Sequence, residues 1–105
     1  MEYISPEDCK KNIDSTNDLF IIDVREQYEL SICNIGFPHI AMGEISQKVD
    51  ELPRDKKIVL MCNSGKRAEA IGNLLETEFG FANILIMEGG IINWKAQVDQ
   101  TLQLD

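Results

Sequence analysis

The stretch Lys57-Ile58-Val59-Leu60-Met61-Cys62-Asn63-Ser64-Gly65-Lys66-Arg67 decides how this chain is read. Its first half is a short apolar run, the pattern of a strand covered on both faces. Cys62 to Gly65 then forms a tight turn, and a helical pattern begins near Lys66. Ala68, Ile71, Leu74, Leu75 and Phe79 fall on one stripe, with Gly80 as the stop. A cysteine between a buried strand and a helix start lies where turn N–H groups converge and the helix dipole leaves partial positive charge. Lys66 and Arg67 add two cations at the rim. All three effects favour the thiolate, the nucleophilic form of the sulfur.

Working outward, Leu19-Phe20-Ile21-Ile22 is a second fully apolar run, ending in Asp23-Val24-Arg25, and Asn83-Ile84-Leu85-Ile86-Met87 is a third. Ser5-Pro6-Glu7-Asp8 is a helix start: a Ser cap, Pro at the first helical position and carboxylates in the first turn. Cys9 and Ile13 share a face of that helix, so Cys9 is expected to be buried. From Glu26 to Gly43 the pattern is mixed, and Gly36, Pro38 and Gly43 mark a loop. Ile45, Val49 and Leu52 fall at helical spacing and Pro53 closes that short helix. Gly89-Gly90 turns into a last helix carrying Ile91, Ile92 and Trp94. Apolar strands alternating with helices predict an α/β fold: a mostly parallel central sheet with helices on both faces. Three loops at the strand C-termini are then expected to build the site: Asp23-Val24-Arg25, Cys62 to Arg67, and Glu88-Gly89-Gly90.

No repeat, low-complexity tract or linker interrupts residues 1–105, which are expected to form one domain. The net charge is −8, with 18 acidic and 10 basic residues. Such an acidic surface disfavours nucleic acid and anionic membranes as partners. No apolar run approaches the ~20 residues needed to cross a bilayer. Met1-Glu2-Tyr3-Ile4-Ser5 lacks the basic and apolar regions of a secretory signal, so a cytoplasmic location is expected. Three cysteines, Cys9, Cys33 and Cys62, are an odd number without C-x-x-C spacing, which argues against a disulfide framework and a structural zinc site. With a single histidine, His39, no metal or cofactor is expected. His39 sits in a loop and reads as an anchor of that loop more than as a catalytic partner of Cys62.

Four ordered motifs carry a family resemblance: Asp-Val-Arg (Asp23, Val24, Arg25), an acidic-aromatic segment (Glu26, Tyr28, Glu29), Cys-x-x-Gly-x-Arg (Cys62, Gly65, Arg67) and Gly-Gly-x-x-x-Trp (Gly89, Gly90, Trp94). With these the chain resembles a single rhodanese domain over nearly its whole length. The region from Ile35 to Glu44 is similar to the rhodanese domain fused to ubiquitin-activating-like enzymes of molybdopterin and thiamin synthesis. One segment departs from the pattern: where the family usually reads Gly-His-Ile-x-Gly-Ala, this chain has Phe37-Pro38-His39-Ile40-Ala41-Met42-Gly43.

The resemblance implies sulfur transfer from thiosulfate, or another sulfane donor, to a thiol or cyanide through a persulfide on Cys62. Asn63, Ser64, Gly65, Lys66 and Arg67 would surround its terminal sulfur, with Asp23 and Arg25 supporting the loop. A cysteine desulfurase or a sulfur-carrier protein would be a natural partner. Two other functions stay open on the sequence: a binding module without turnover, and a redox sensor using the same thiolate. A phosphatase or arsenate reductase is a minor alternative, because Cys62 to Arg67 spans six residues. The phosphatases of this fold use a seven-residue loop, and a smaller ring of N–H donors suits one sulfur atom better than a phosphate. Cys33 reads as a half-buried spacer, and Trp94 as core packing.

Overall fold

Alternate residues along the three apolar runs divide between two hydrophobic layers, and that division organises the molecule. The computed structural model describes residues 2–104, so the first and last residues of the expected domain lie outside the described residues. Chain order is β1 (Glu2–Ile4), α1 (Pro6–Asp14), β2 (Leu19–Asp23), α2 (Gln27–Ile32), two 3-10 segments (Met42–Gln47 and Val49–Glu51), β3 (Lys57–Met61), α3 (Lys66–Glu78), β4 (Ile84–Met87) and α4 (Gly90–Gln97). The strands pair in the order β1-β4-β3-β2, and every pairing is parallel.

Ile22, Val24, Ile58, Leu60, Ile84 and Ile86 point to one face, where Ile45, Leu52 and the stripe Ala68, Ile71 and Leu75 cover them. Ile21, Val59, Met61, Leu85 and Met87 point to the other, under Cys9 of α1 and Ile91 and Trp94 of α4. Each wholly buried Ile or Leu contributes about 1.5–3 kcal/mol of hydrophobic stabilisation. Helices on both faces of a parallel sheet are what the apolar runs predict.

Three local features differ from the sequence reading. The helix expected through Ile45, Val49 and Leu52 is two 3-10 turns separated at Lys48, though Ile45 and Leu52 still reach the core. Gly43 in the first turn and the few apolar anchors leave too little to propagate a regular helix. Within the expected loop lies α2, which has no buried residue and so no apolar stripe to betray it. The edge strand β1 is only three residues long, too short for a periodic signal.

α1 follows its expected chemistry: the Ser5 side chain accepts from the Asp8 N–H at 3.1 Å, and Pro6 opens the helix. His39 extends the β2 edge, bridging Asp23 in parallel, and the Asp23 N–H donates to the Pro38 carbonyl.

Candidate active site

β3 ends at Met61, and the next residue, Cys62, begins the turn into α3. Gly65 caps that helix with φ at +102°, a left-handed conformation that favours glycine. The turn brings the chain back over the thiol. Cys62 Sγ accepts from the Gly65 N–H at 3.0 Å and from the Ala68 N–H at 3.4 Å. The N–H groups of Ser64, Lys66 and Arg67 have no acceptor among the described residues. First-turn N–H groups are left over by helix geometry, and here they line the rim of a small donor-rich bowl. Cys62 itself is 0% exposed, so the sulfur forms the floor of that bowl.

The Glu88-Gly89-Gly90 loop closes one side. The Ile91 N–H donates to the Cys62 carbonyl at 2.9 Å and the Ile92 N–H to the Asn63 carbonyl at 3.3 Å. Both glycines have positive φ. A Cβ on Gly90 would lie 2.3 Å from the Cys62 carbonyl oxygen, which explains a glycine pair at the foot of α4.

The Asp23-Val24-Arg25 segment closes the other side. The Val24 N–H donates to the Met61 carbonyl at 2.9 Å. Asp23 and Arg25 form a buried ion pair, with Arg25 Nη2 to Asp23 Oδ2 at 2.8 Å. The same guanidinium donates from Nη2 to the Cys33 carbonyl at 2.8 Å and from Nη1 to the Glu29 carbonyl at 3.5 Å. Arg25 therefore clamps the C-terminal half of α2 onto the sheet. His39 Nε2–H donates to the Arg25 carbonyl at 2.6 Å, so the histidine anchors this loop.

α2 in turn presents Glu29 to the active loop. Glu29 Oε1 accepts from Arg67 Nη1 at 2.5 Å and Oε2 from Nη2 at 2.8 Å, a bidentate pair between residues 38 positions apart. Oε1 also accepts from the Glu26 N–H at 3.0 Å, completing a capping box. The bond to Arg67 holds Glu29 below the usual carboxylate range, and the same bond raises Arg67 further. Arg67 is thus committed to a carboxylate, while Lys66 is exposed and forms no ion pair among the described residues.

The structure brings together all eight residues singled out in the sequence and adds two, Ala68 and Glu29. Ala68, assigned only to the apolar stripe of α3, also supplies an N–H to the sulfur. Gly90, in the third loop expected to build the site, lets α4 approach the cysteine turn. Glu29 appeared within a motif, but its role rests on the position of α2, and the Glu26-x-x-Glu29 capping box was the local signal for that helix. Cys33 is half-buried and engaged through its carbonyl, and Trp94 is buried edge-on to Phe37, with ring centroids 5.4 Å apart. A cavity of ≈ 620 Å³ is lined by Asp18, Leu19, Lys56 and Lys57, where β2 and β3 begin. Cys62 lies at the far end of β3, about 16 Å away along an extended strand. The buried sulfur and the N–H donors converging on it make the cysteine end the candidate site.

A parallel sheet whose C-terminal edge holds a cysteine in a backbone N–H bowl defines a class of small α/β domains built around a strand-end cysteine turn. The family model for the rhodanese-like domain matches residues 5–97, and the chain belongs to that family. It is 36% identical over 98 residues to YtwF of Bacillus subtilis, provisionally named a sulfurtransferase, covering 92% of this chain and 93% of YtwF. It is 32% identical over 97 residues to YrkF of the same organism, provisionally named a sulfur carrier protein, covering 91% of this chain and 52% of YrkF. The crystal structure of a rhodanese-related protein from Thermoplasma volcanium matches with a TM-score of 0.77 at 34% identity, over 93% of this chain and 94% of that one. The architecture is the rhodanese fold.

Proposed function

We propose that this protein is a sulfurtransferase, one domain over residues 1–105, that carries sulfane sulfur as a persulfide on Cys62. The observation that carries the reading is the buried Cys62 Sγ, held by the N–H groups of Gly65 and Ala68 at the N-terminus of a 13-residue helix. Donors aimed at sulfur favour its thiolate. The thiolate attacks the outer sulfur of a sulfane donor. An S–S bond forms to Cys62, the donor's own S–S bond breaks, and its electron pair leaves on the inner group, as sulfite from thiosulfate or a thiolate from a persulfide.

The added sulfur is itself anionic. It would extend from the floor of the bowl towards the open N–H groups of Ser64, Lys66 and Arg67, with Asn63 completing the turn. Lys66 meets the incoming anion, and Asp23 and Arg25 hold α2 and the loop in register. A thiol or cyanide then removes the outer sulfur and regenerates the thiolate. Likeness to YtwF and YrkF supports sulfur transfer and the carriage of sulfur between proteins; a sulfur-carrier protein or a cysteine desulfurase would be the natural partner of a Cys62 persulfide. The three unpaired cysteines fit a reducing compartment, the cytoplasm. The six-residue loop and the engagement of Arg67 by Glu29 disfavour phosphate chemistry.

Intact-mass spectrometry tests the reading. After incubation with thiosulfate or cysteine persulfide, the protein should gain the mass of one sulfur atom, mapped to Cys62 and not to Cys9 or Cys33, and lose it to cyanide. Cys62→Ser should capture no sulfur. Thiocyanate production undiminished in Cys62→Ser would sink the assignment.

A further inference from the structure

We infer that Glu29 sets the donor class of the Cys62 site: by occupying Arg67, it biases the site against dianionic donors such as thiosulfate and towards persulfides of lower charge. The inference rests on the persulfide chemistry proposed for Cys62. It starts from the two cations that follow the cysteine at the rim of the turn, Lys66 and Arg67. Both guanidinium Nη atoms of Arg67 are taken by the two oxygens of Glu29, at 2.5 and 2.8 Å. Glu29 is locked from the other side by the Glu26 N–H and by the Arg25 clamp on α2. Arg67 therefore brings little net charge to the bowl, and Lys66 is the cation of the loop left unpaired among the described residues. Exposed Glu69 in the first turn of α3 and Glu88 before α4 add negative charge, on a chain of net charge −8.

The two donor chemistries differ in the charge they bring. Thiosulfate meeting a thiolate places three negative charges at the reacting centre. The products, a Cys62 persulfide anion and a sulfite dianion, carry the same three. A persulfide anion places two there: RSS⁻ and Cys62–S⁻ become RS⁻ and Cys62–SS⁻. In both, one S–S bond forms as another breaks, and no external oxidant or reductant enters. The dianion needs a free cation more, and the Glu29–Arg67 pair withholds one.

The experiment compares rates of Cys62 persulfide formation from thiosulfate and from cysteine persulfide. In Glu29→Gln, where Arg67 regains its charge towards the bowl, the thiosulfate-to-persulfide rate ratio should rise about five-fold. Glu29→Asp keeps the charge and should keep the wild-type ratio. Wild-type protein supplies a second readout: its loading by thiosulfate should speed up with added sodium chloride as repulsion is screened, more than its loading by cysteine persulfide. An unchanged ratio in Glu29→Gln, an equal rise in Glu29→Asp, or wild-type thiosulfate loading that slows with salt would overturn the donor assignment. Wild-type Cys62 loaded by neither donor would overturn the sulfurtransferase reading along with it.

Discussion

Gly90 lies against a neighbouring backbone with no room for a side chain. Its absent Cβ would meet the carbonyl oxygens of Cys62 at 2.3 Å and of Asn63 at 2.6 Å, and its φ is +60°. Flexible side chains yield to such crowding, but these are strand-end carbonyls held by the N–H groups of Ile91 and Ile92. Gly90→Ala should therefore destabilise the fold by about 2–3 kcal/mol. It should also cut the rate of sulfur capture in the protein that remains folded, because relief comes only by pushing α4 off the active loop. Urea titration and a loading assay check the two halves. A variant as stable and as fast as wild type would show that the approach of α4 does not shape the site. Cys62 and its turn were legible because strand, turn and helix follow one another along the chain. The Gly90 contact was not, because it joins residues 28 positions apart.

At the scale of elements, α2 gains nothing from a hydrophobic face, since none of its residues is buried. Its attachment is polar: the capping box, the Arg25 bonds to the Glu29 and Cys33 carbonyls, and the Glu29–Arg67 pair. Asp23 and Arg25 are 1% and 3% exposed, so removing one leaves a charge buried without its partner. Arg25→Leu should cost about 3–5 kcal/mol, read as a lower urea midpoint. The same variant should slow sulfur capture by freeing α2. A loss below about 1 kcal/mol would reduce the pair to a weak strand-end contact. Helices α1 and α3 were legible because each buries a stripe and carries its own start signal. Helix α2 and the 3-10 turns lack a sustained stripe, and there tertiary hydrogen bonds and a glycine override the local pattern.

Across the whole molecule, buried and paired ionisable groups set how stability depends on pH. Bonds from Arg67, Asn12 and Thr101 hold Glu29, Asp18 and Asp99, respectively, below their ordinary values of 4.5, 3.8 and 3.8. A lowered carboxylate stabilises the fold above its unfolded value, and that share is lost as pH falls through the folded one. Stability should therefore decline below pH 4.5, with Glu29→Gln and wild type converging there. Burial pushes Cys9 the opposite way, from 9.0 up to about 12. Its share is complete below pH 9.0 and is lost as pH rises towards 12, because the unfolded chain ionises the thiol first. Urea midpoints should fall along that alkaline limb, less steeply in Cys9→Ala; equal slopes would clear Cys9 of the effect.

By itself the sequence determined the layered α/β architecture and the place of the sulfur. Apolar runs must bury both faces, and a strand leading through Cys62 to Gly65 into a helix points N–H groups at the thiol whatever surrounds it. Tertiary structure alone decided which cations stand free beside that sulfur. Whether Arg67 faces a donor or a carboxylate depends on where α2 sits, and α2 is held by hydrogen bonds from β2 and its loop, which leave no period along the chain.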